Sequence, residues 1–157
     1  MKPNRKAILD MIAACEGTTG PDGYRALFGY DPVRRPDRVF DNGFARHPNI
    51  KFPFTQTDGT QNYSTAAGRY QFIFHTWQLD AAAIGAPDFS PAWQDEAALY
   101  EIESHDALDD VDAGRLQDAI DKISGIWASL PASHYPQPRR DYTFALAAFT
   151  DAGGTVA

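Results

Sequence analysis

ILDMIAACEGTT, Ile8 to Thr19, carries an apolar helical stripe straight into one carboxylate and then breaks on a glycine. Ile8, Ile12 and Cys15 recur at helical spacing, and Glu16, four residues beyond Ile12, continues the same side of that helix. Gly17 stands where a helix C-terminus takes a left-handed residue. Glu16 is therefore expected to be half-buried at the negative end of a helix dipole, where desolvation and dipole both favour the protonated carboxyl. A carboxylic acid that keeps its proton near neutral pH serves as a general acid. The competing reading is a glutamate on a fraying last turn.

The rest of the composition narrows the company this carboxylate can keep. With 157 residues and 43% hydrophobic content, the chain is expected to form one compact domain, residues 1–157, around one core. Its 14 Lys+Arg against 21 Asp+Glu give a net charge of -7, which argues against nucleic acid or anionic membrane as a partner. The lone Cys15 excludes an intramolecular disulfide. His47, His75, His105 and His134 form no HxxxH or HxH pair, so neither a metal nor another cofactor is expected. No GxSxG elbow and no phosphate-binding glycine loop occurs. Nothing approaches a membrane-spanning run or a secretory signal, so stable membrane insertion is not expected and work outside the cytoplasm calls for another protein to release the chain.

Along the chain, Asn4 is placed to cap the first helix. From Thr18 to Thr65 helical periodicity disappears and aromatics are scattered among Gly and Pro, which reads as loop and short strand that is either functional or a packed irregular lobe. Within it FTQTDGTQNYS reads as a hairpin turning on Asp58-Gly59, a polar wing lining a cleft. STAAGRYQFIF, Ser64 to Phe74, fits a short strand or the start of a helix equally well. Helices follow from about Thr76 to Ile84, from Ser90-Pro91 through Trp93, Ala97 and Tyr100, and through Leu116, Ile120, Ile123 and Trp127 up to Pro131. A last helix is capped by Asp141, runs through Phe144, Ala148 and Phe149, and closes at Gly153-Gly154. The acids of Asp95-Glu96 and Asp106 to Asp112 read as solvated helix ends. A helical body, a polar hairpin and a glutamate ending the first helix together describe a saccharide cleft.

Several stretches in fixed order then carry a resemblance: RKAILDMIAACEGT, GYD at Gly29 to Asp31, His47-Pro48, STAAGRYQF at Ser64 to Phe72, DFSPAWQDEAAL at Asp88 to Leu99, AIDKISGIWASLP at Ala119 to Pro131, and a terminal AGGTV. The chain is similar, almost end to end, to the lambda-type phage lysozymes, lytic transglycosylases that serve as endolysins. The resemblance implies an α+β, lysozyme-like fold, with a mainly helical body and a small β-hairpin lobe flanking a saccharide cleft. It implies cleavage of the β-1,4 bond between N-acetylmuramic acid and N-acetylglucosamine in peptidoglycan, leaving 1,6-anhydromuramoyl ends. Glu16 matches the family's catalytic glutamate.

Gln71 and Tyr70 match positions expected to face the cleft, with Ser64 and Thr65 at the foot of the hairpin. Tyr135 is a candidate to stack on or hydrogen-bond a sugar, and Asp31 to reach the glycan. Each has a structural alternative: the tyrosines pack, and Ser64 and Thr65 cap a turn. The expected partner is the peptidoglycan glycan strand, met by a monomer that accumulates in the host cytoplasm until a holin-like permeabilising protein releases it to the periplasmic wall.

Two other functions stay open at this point. A hydrolytic muramidase would need a second acid, for which Asp22, Asp31, Asp41 and Asp58 are candidates. The T4-like phage lysozyme pattern, an Asp or Cys nine residues after the glutamate and a Thr six residues later, is absent, because Arg25 and Asp31 stand there. A non-catalytic glycan-binding or tail-associated structural module is the other alternative. Departures from the family are Cys15 immediately before the glutamate, the stretch PVRRPDRVFDNG and the acidic balance.

Overall fold

A computed structural model describes all 157 residues. In chain order it contains α1 (Pro3–Glu16), a 3-10 turn (Gly23–Arg25), β1 (Phe52–Thr55), β2 (Gln61–Ser64), α2 (Phe74–Ile84), α3 (Pro91–Ser104), α4 (Leu108–Ala113), α5 (Leu116–Ile123) and α6 (Tyr142–Asp151). Contacts divide the chain into two compact units, one of Met1–Cys15 with Leu99–Ala157, the other of Glu16–Ala98. No helix is long and apolar enough to cross a membrane.

In the first unit, α1 is buried on more faces than a single stripe: Ala7, Ile8, Leu9, Met11, Ile12, Ala13 and Cys15 are all buried. A helix apolar nearly all round belongs to a core. Asn4 does not cap it. Its amide donates to the carbonyls of Val111 and Thr155 and accepts from the Thr155 amide, so it ties the C-terminal strand of chain to the helix start. The stripe Leu116, Ile120, Ile123 and Trp127 is buried as read, each residue 3% exposed or less. Full burial of such a side chain contributes about 1.5–3 kcal/mol. The helix itself ends at Ile123, and Trp127 packs from the turn beyond it.

The acids between 106 and 112 are not all solvated. Residues 108–113 form a helix, Asp110 is gripped by Arg115 and Lys122, and Asp112 by Arg5 and Lys2. Hydrogen bonds from Arg5 and Lys2 hold the Asp112 carboxyl far below the usual carboxylate range. Asp141 caps α6 as expected, accepting from the Phe144 amide, but the buried face is Ala145 and Phe149, with Phe144 exposed.

The second unit contains the long irregular stretch, and its aromatics fold on one another. Trp77 and Phe89 meet edge to face at 4.6 Å, His47 lies 4.9 Å from Phe89, and Phe40 packs on both Phe44 and Phe89. Isolated bridges between Ala26 and Val39, Leu27 and Ala67, and Asp31 and Arg35 supply the backbone partners that regular strands would give. The hairpin forms in antiparallel register, Phe52 opposite Ser64 and Thr55 opposite Gln61.

Its turn is longer than two residues. The Gln56 amide donates to the Thr60 carbonyl, the Gly59 amide returns to the Gln56 carbonyl, and only Gly59, with φ +85, is left-handed. That is the three-residue connection with a glycine bulge. Ser64 ends β2 and Phe74 begins α2, two residues earlier than read, and the stretch between them is neither strand nor helix: Gly68 to Gln71 is a turn, closed by the Ala67 amide on the Phe72 carbonyl.

Candidate functional site

Glu16 is the last residue of α1 and is half-buried. Gly17 follows with φ +77, the left-handed conformation that stops the helix, and Thr18 beyond it is 1% exposed. The Thr18 hydroxyl donates to the Arg69 carbonyl, which fastens the GRYQ turn to the chain leaving the glutamate. Gly23 closes the same loop, because a Cβ there would stand 1.8 Å from the Thr18 carbonyl oxygen. No other residue type fits.

The GRYQ turn is held from below by α3. Gln94, fully buried, accepts from the Arg69 amide and donates to the carbonyls of Tyr24 and Phe89. Next to it, one oxygen of Asp95 accepts from both the Tyr24 hydroxyl at 2.9 Å and the Tyr70 hydroxyl at 2.6 Å. The Arg69 guanidinium rests over the Tyr24 ring, 5.0 Å from its centroid. Gly68 is required here as well, since a Cβ would meet the Gln94 side-chain oxygen at 2.3 Å.

Gln71 has φ +49, which a non-glycine residue adopts only when its surroundings enforce it, and its amide nitrogen donates to the Gly68 carbonyl. Such enforced backbone is common at binding sites. Tyr70 is 1% exposed, and burial followed by the Asp95 charge pushes its hydroxyl far up. Ser64 is nearly buried and accepts from the Ala66 amide. Thr65 accepts from the Phe74 amide and so caps α2 from nine residues away.

Asp31 accepts from the amides of Arg34 and Val33, which pull its carboxyl below the usual range and commit it to its own turn. Tyr135, in the first unit, is 47% exposed and anchored by its hydroxyl on the Gly125 carbonyl, leaving the ring open. No group of three or more His, Cys, Asp or Glu is arranged to hold a metal ion.

Residues 6–156 match the family model described as Endolysin. The chain belongs to the endolysin family. It is 38% identical to the endolysin of Escherichia phage lambda over 97% of this chain and 92% of that protein, and 35% identical to the endolysin of Escherichia phage P2 over 98% and 95%. A bacteriophage lambda lysozyme complexed with a chitohexasaccharide superposes with TM-score 0.85 at 36% identity, covering 100% of this chain and 98% of that one. A second structure of lysozyme from bacteriophage lambda gives 0.78 at 34% identity, with the same coverage. This endolysin therefore has the α+β lysozyme fold.

Sequence reasoning about the endolysin missed Gln94, Asp95 and the Arg69 clamp. Asp95, which the sequence alone presents as a solvated acid, receives two tyrosine hydroxyls from segments 25 and 71 residues away. The available signal was Gly68, a lone glycine before a run of large residues, which marks close backbone approach.

Proposed function

We propose that this endolysin, an enzyme acting on peptidoglycan, is a lytic transglycosylase in which Glu16 is first the general acid and then the base. Glu16 protonates the glycosidic oxygen between N-acetylmuramic acid and N-acetylglucosamine, and the bond from C1 to that oxygen breaks as C1 takes on oxocarbenium character. The resulting carboxylate removes the proton from the C6 hydroxyl of the same muramic sugar while that oxygen bonds to C1. No water is consumed, and the product is a 1,6-anhydromuramoyl end. A tethered nucleophile needs no second carboxylate to orient it, because its effective molarity is already high.

The observation that supports one acid over two concerns the five aspartates of the lobe, of which Asp37 accepts from Arg35. Asp31 and Asp58 accept from backbone amides of their own turns. Asp22 and Asp41 are exposed partners of the Arg25 cation, 3.5 and 3.8 Å away, which leaves neither as the isolated carboxylate that a hydrolase uses to orient water. Under this reading Gln71 and the open ring of Tyr135 contact sugar, while Tyr70, Ser64, Thr65 and Asp31 shape the surroundings. Replacing Glu16 by Gln, which keeps size and removes the acid, tests the assignment: release of glycan fragments from purified sacculi is expected to fall by about 10²–10⁴-fold. Equal release by both proteins would overturn it.

The proposal extends to delivery: the enzyme is held in the host cytoplasm as a monomer until a separate permeabilising protein opens the membrane. Deleting that protein is expected to abolish lysis with endolysin still synthesised, and unaided export would refute this step.

A further inference from the structure

The most elaborate polar arrangement in the Glu16–Ala98 unit has no place in the proton transfers just described. It centres on Asp95, in the second turn of α3, where an isolated acid would ordinarily be solvated. Three separate segments meet at its Oδ1: the 3-10 turn through Tyr24, the GRYQ turn through Tyr70, and α3 itself. Tyr24 is thereby held at both ends, its hydroxyl by Asp95 and its carbonyl by Gln94. Arg69 is held at three points: its amide by Gln94, its carbonyl by Thr18, and its guanidinium by the Tyr24 ring.

We infer that Asp95 is a positioning residue for the endolysin reaction: by accepting from Tyr24 and Tyr70 it fixes the ring on which the Arg69 guanidinium rests, and through Arg69 and Thr18 it sets the chain that leaves Glu16. The inference rests on the assignment of Glu16 as the reacting acid. A carboxylate suits this task because it accepts two hydroxyls more strongly than a neutral oxygen would, and its charge favours the cation stacked on one of its donors. The route from Asp95 runs through the Tyr24 hydroxyl, the ring contact with Arg69 and the Thr18 hydrogen bond, and then along the backbone through Gly17 to Glu16, so a shift at Asp95 is passed on as a displacement. A misplacement of about 1 Å at a reacting group costs on the order of 10²-fold in rate.

Steady-state kinetics on soluble, uncrosslinked glycan strands test this, with each variant assayed well below its own Tm and rates normalised to folded protein. Asp95→Ala is expected to lower kcat by about 10–100-fold with a smaller rise in KM, since Asp95 itself is assigned no sugar while Gln71, the proposed sugar contact, follows Tyr70 in the turn that Asp95 holds. Asp95→Asn keeps the accepting oxygen and is expected to recover most of that loss. Tyr24→Phe keeps the ring beneath Arg69 and removes only the hydroxyl, and kcat is expected to fall several-fold, on the order of one lost hydrogen bond.

Wild-type kcat and KM in Asp95→Ala would overturn the inference, as would an Asp95→Asn variant no better than Asp95→Ala. Should Asp95→Ala fail to fold, Tyr24→Phe decides, and an unchanged kcat there overturns it. The Glu16 assignment is read from a separate protein: Glu16→Gln turning over at the wild-type rate defeats that assignment, and this inference with it, whatever the Asp95 variants do.

Discussion

The hydroxyl of Thr18 donates to the carbonyl oxygen of Arg69, binding the chain two residues beyond Glu16 to a turn more than fifty residues further along. The proposed site is thus a long-range construction: Glu16 comes from a helix end, and the chain leaving it is fastened to a loop that α3 holds in place. Thr18→Val keeps the branched shape and leaves the Arg69 carbonyl without this donor. The expected cost is about 1–2 kcal/mol, a fall in Tm of several degrees, together with a drop in turnover. Thermal unfolding and sacculus digestion on the same samples check both, and an unchanged Tm would show that the bond contributes nothing.

Gly23 and Gly125 make opposite predictions for the same substitution. Alanine at 23 drives a Cβ to within 1.8 Å of a backbone oxygen, whereas alanine at 125 meets nothing within 4 Å. Gly23→Ala is expected to destabilise by more than about 3 kcal/mol and to abolish lysis. Gly125→Ala should be neutral, or stabilising by up to about 1 kcal/mol through the unfolded state. Denaturant unfolding of the pair is the check.

His47 supplies a pH dependence. It is 3% exposed, its Nε2 bonds to the Phe72 carbonyl and its Nδ1 accepts from the Asn49 amide, an arrangement that only the neutral ring satisfies. Burial pushes its pKa below the ordinary 6.5. Between the folded and unfolded values the unfolded chain binds more protons, so stability rises with pH there. The contribution is therefore complete above about pH 6.5 and is lost as pH falls toward the lower folded value. Unfolding free energies measured from pH 7.5 to 5 should decline in wild type and flatten in His47→Gln. Equal slopes would remove His47 as the cause. The paired Asp110 and Asp112, whose carboxyls are held low, lose their contribution only in a more acid range, below the ordinary carboxylate value.

Asn4 makes a separate claim about the C-terminus. Asn4→Ala removes the donors to Val111 and Thr155 and the acceptor for the Thr155 amide. A loss of about 2–3 kcal/mol is expected, with faster hydrogen exchange at the amides of Thr155 and Ala157. Retained protection at Thr155 would contradict the assignment.

How far these features could be read from the chain follows from the range of the interactions involved. The end of α1, Glu16 and Gly17 were legible because period, carboxylate and left-handed glycine lie within one helical turn. Asp141 was legible for the same reason, capping an amide three residues away. Asn4 looked identical to a cap, but its partners are 107 and 151 residues distant, and nothing local distinguishes the two uses. Asp95 and Gln94 failed likewise: a helix acid and amide carry no period that announces tyrosines from two other loops. The hairpin was placed correctly, while its turn type depended on whether Asp58 or only Gly59 is left-handed. Buried His47 escaped because aromatic clustering in an irregular lobe leaves no repeat to follow.

Whether Glu16 works without a hydrolytic water is read from mass spectrometry of the soluble products released from purified sacculi. Transglycosylation leaves muropeptides ending in 1,6-anhydromuramic acid, lighter by one water than the hydrolytic products and resistant to borohydride reduction. Products that end mainly in reducible muramic acid would contradict it.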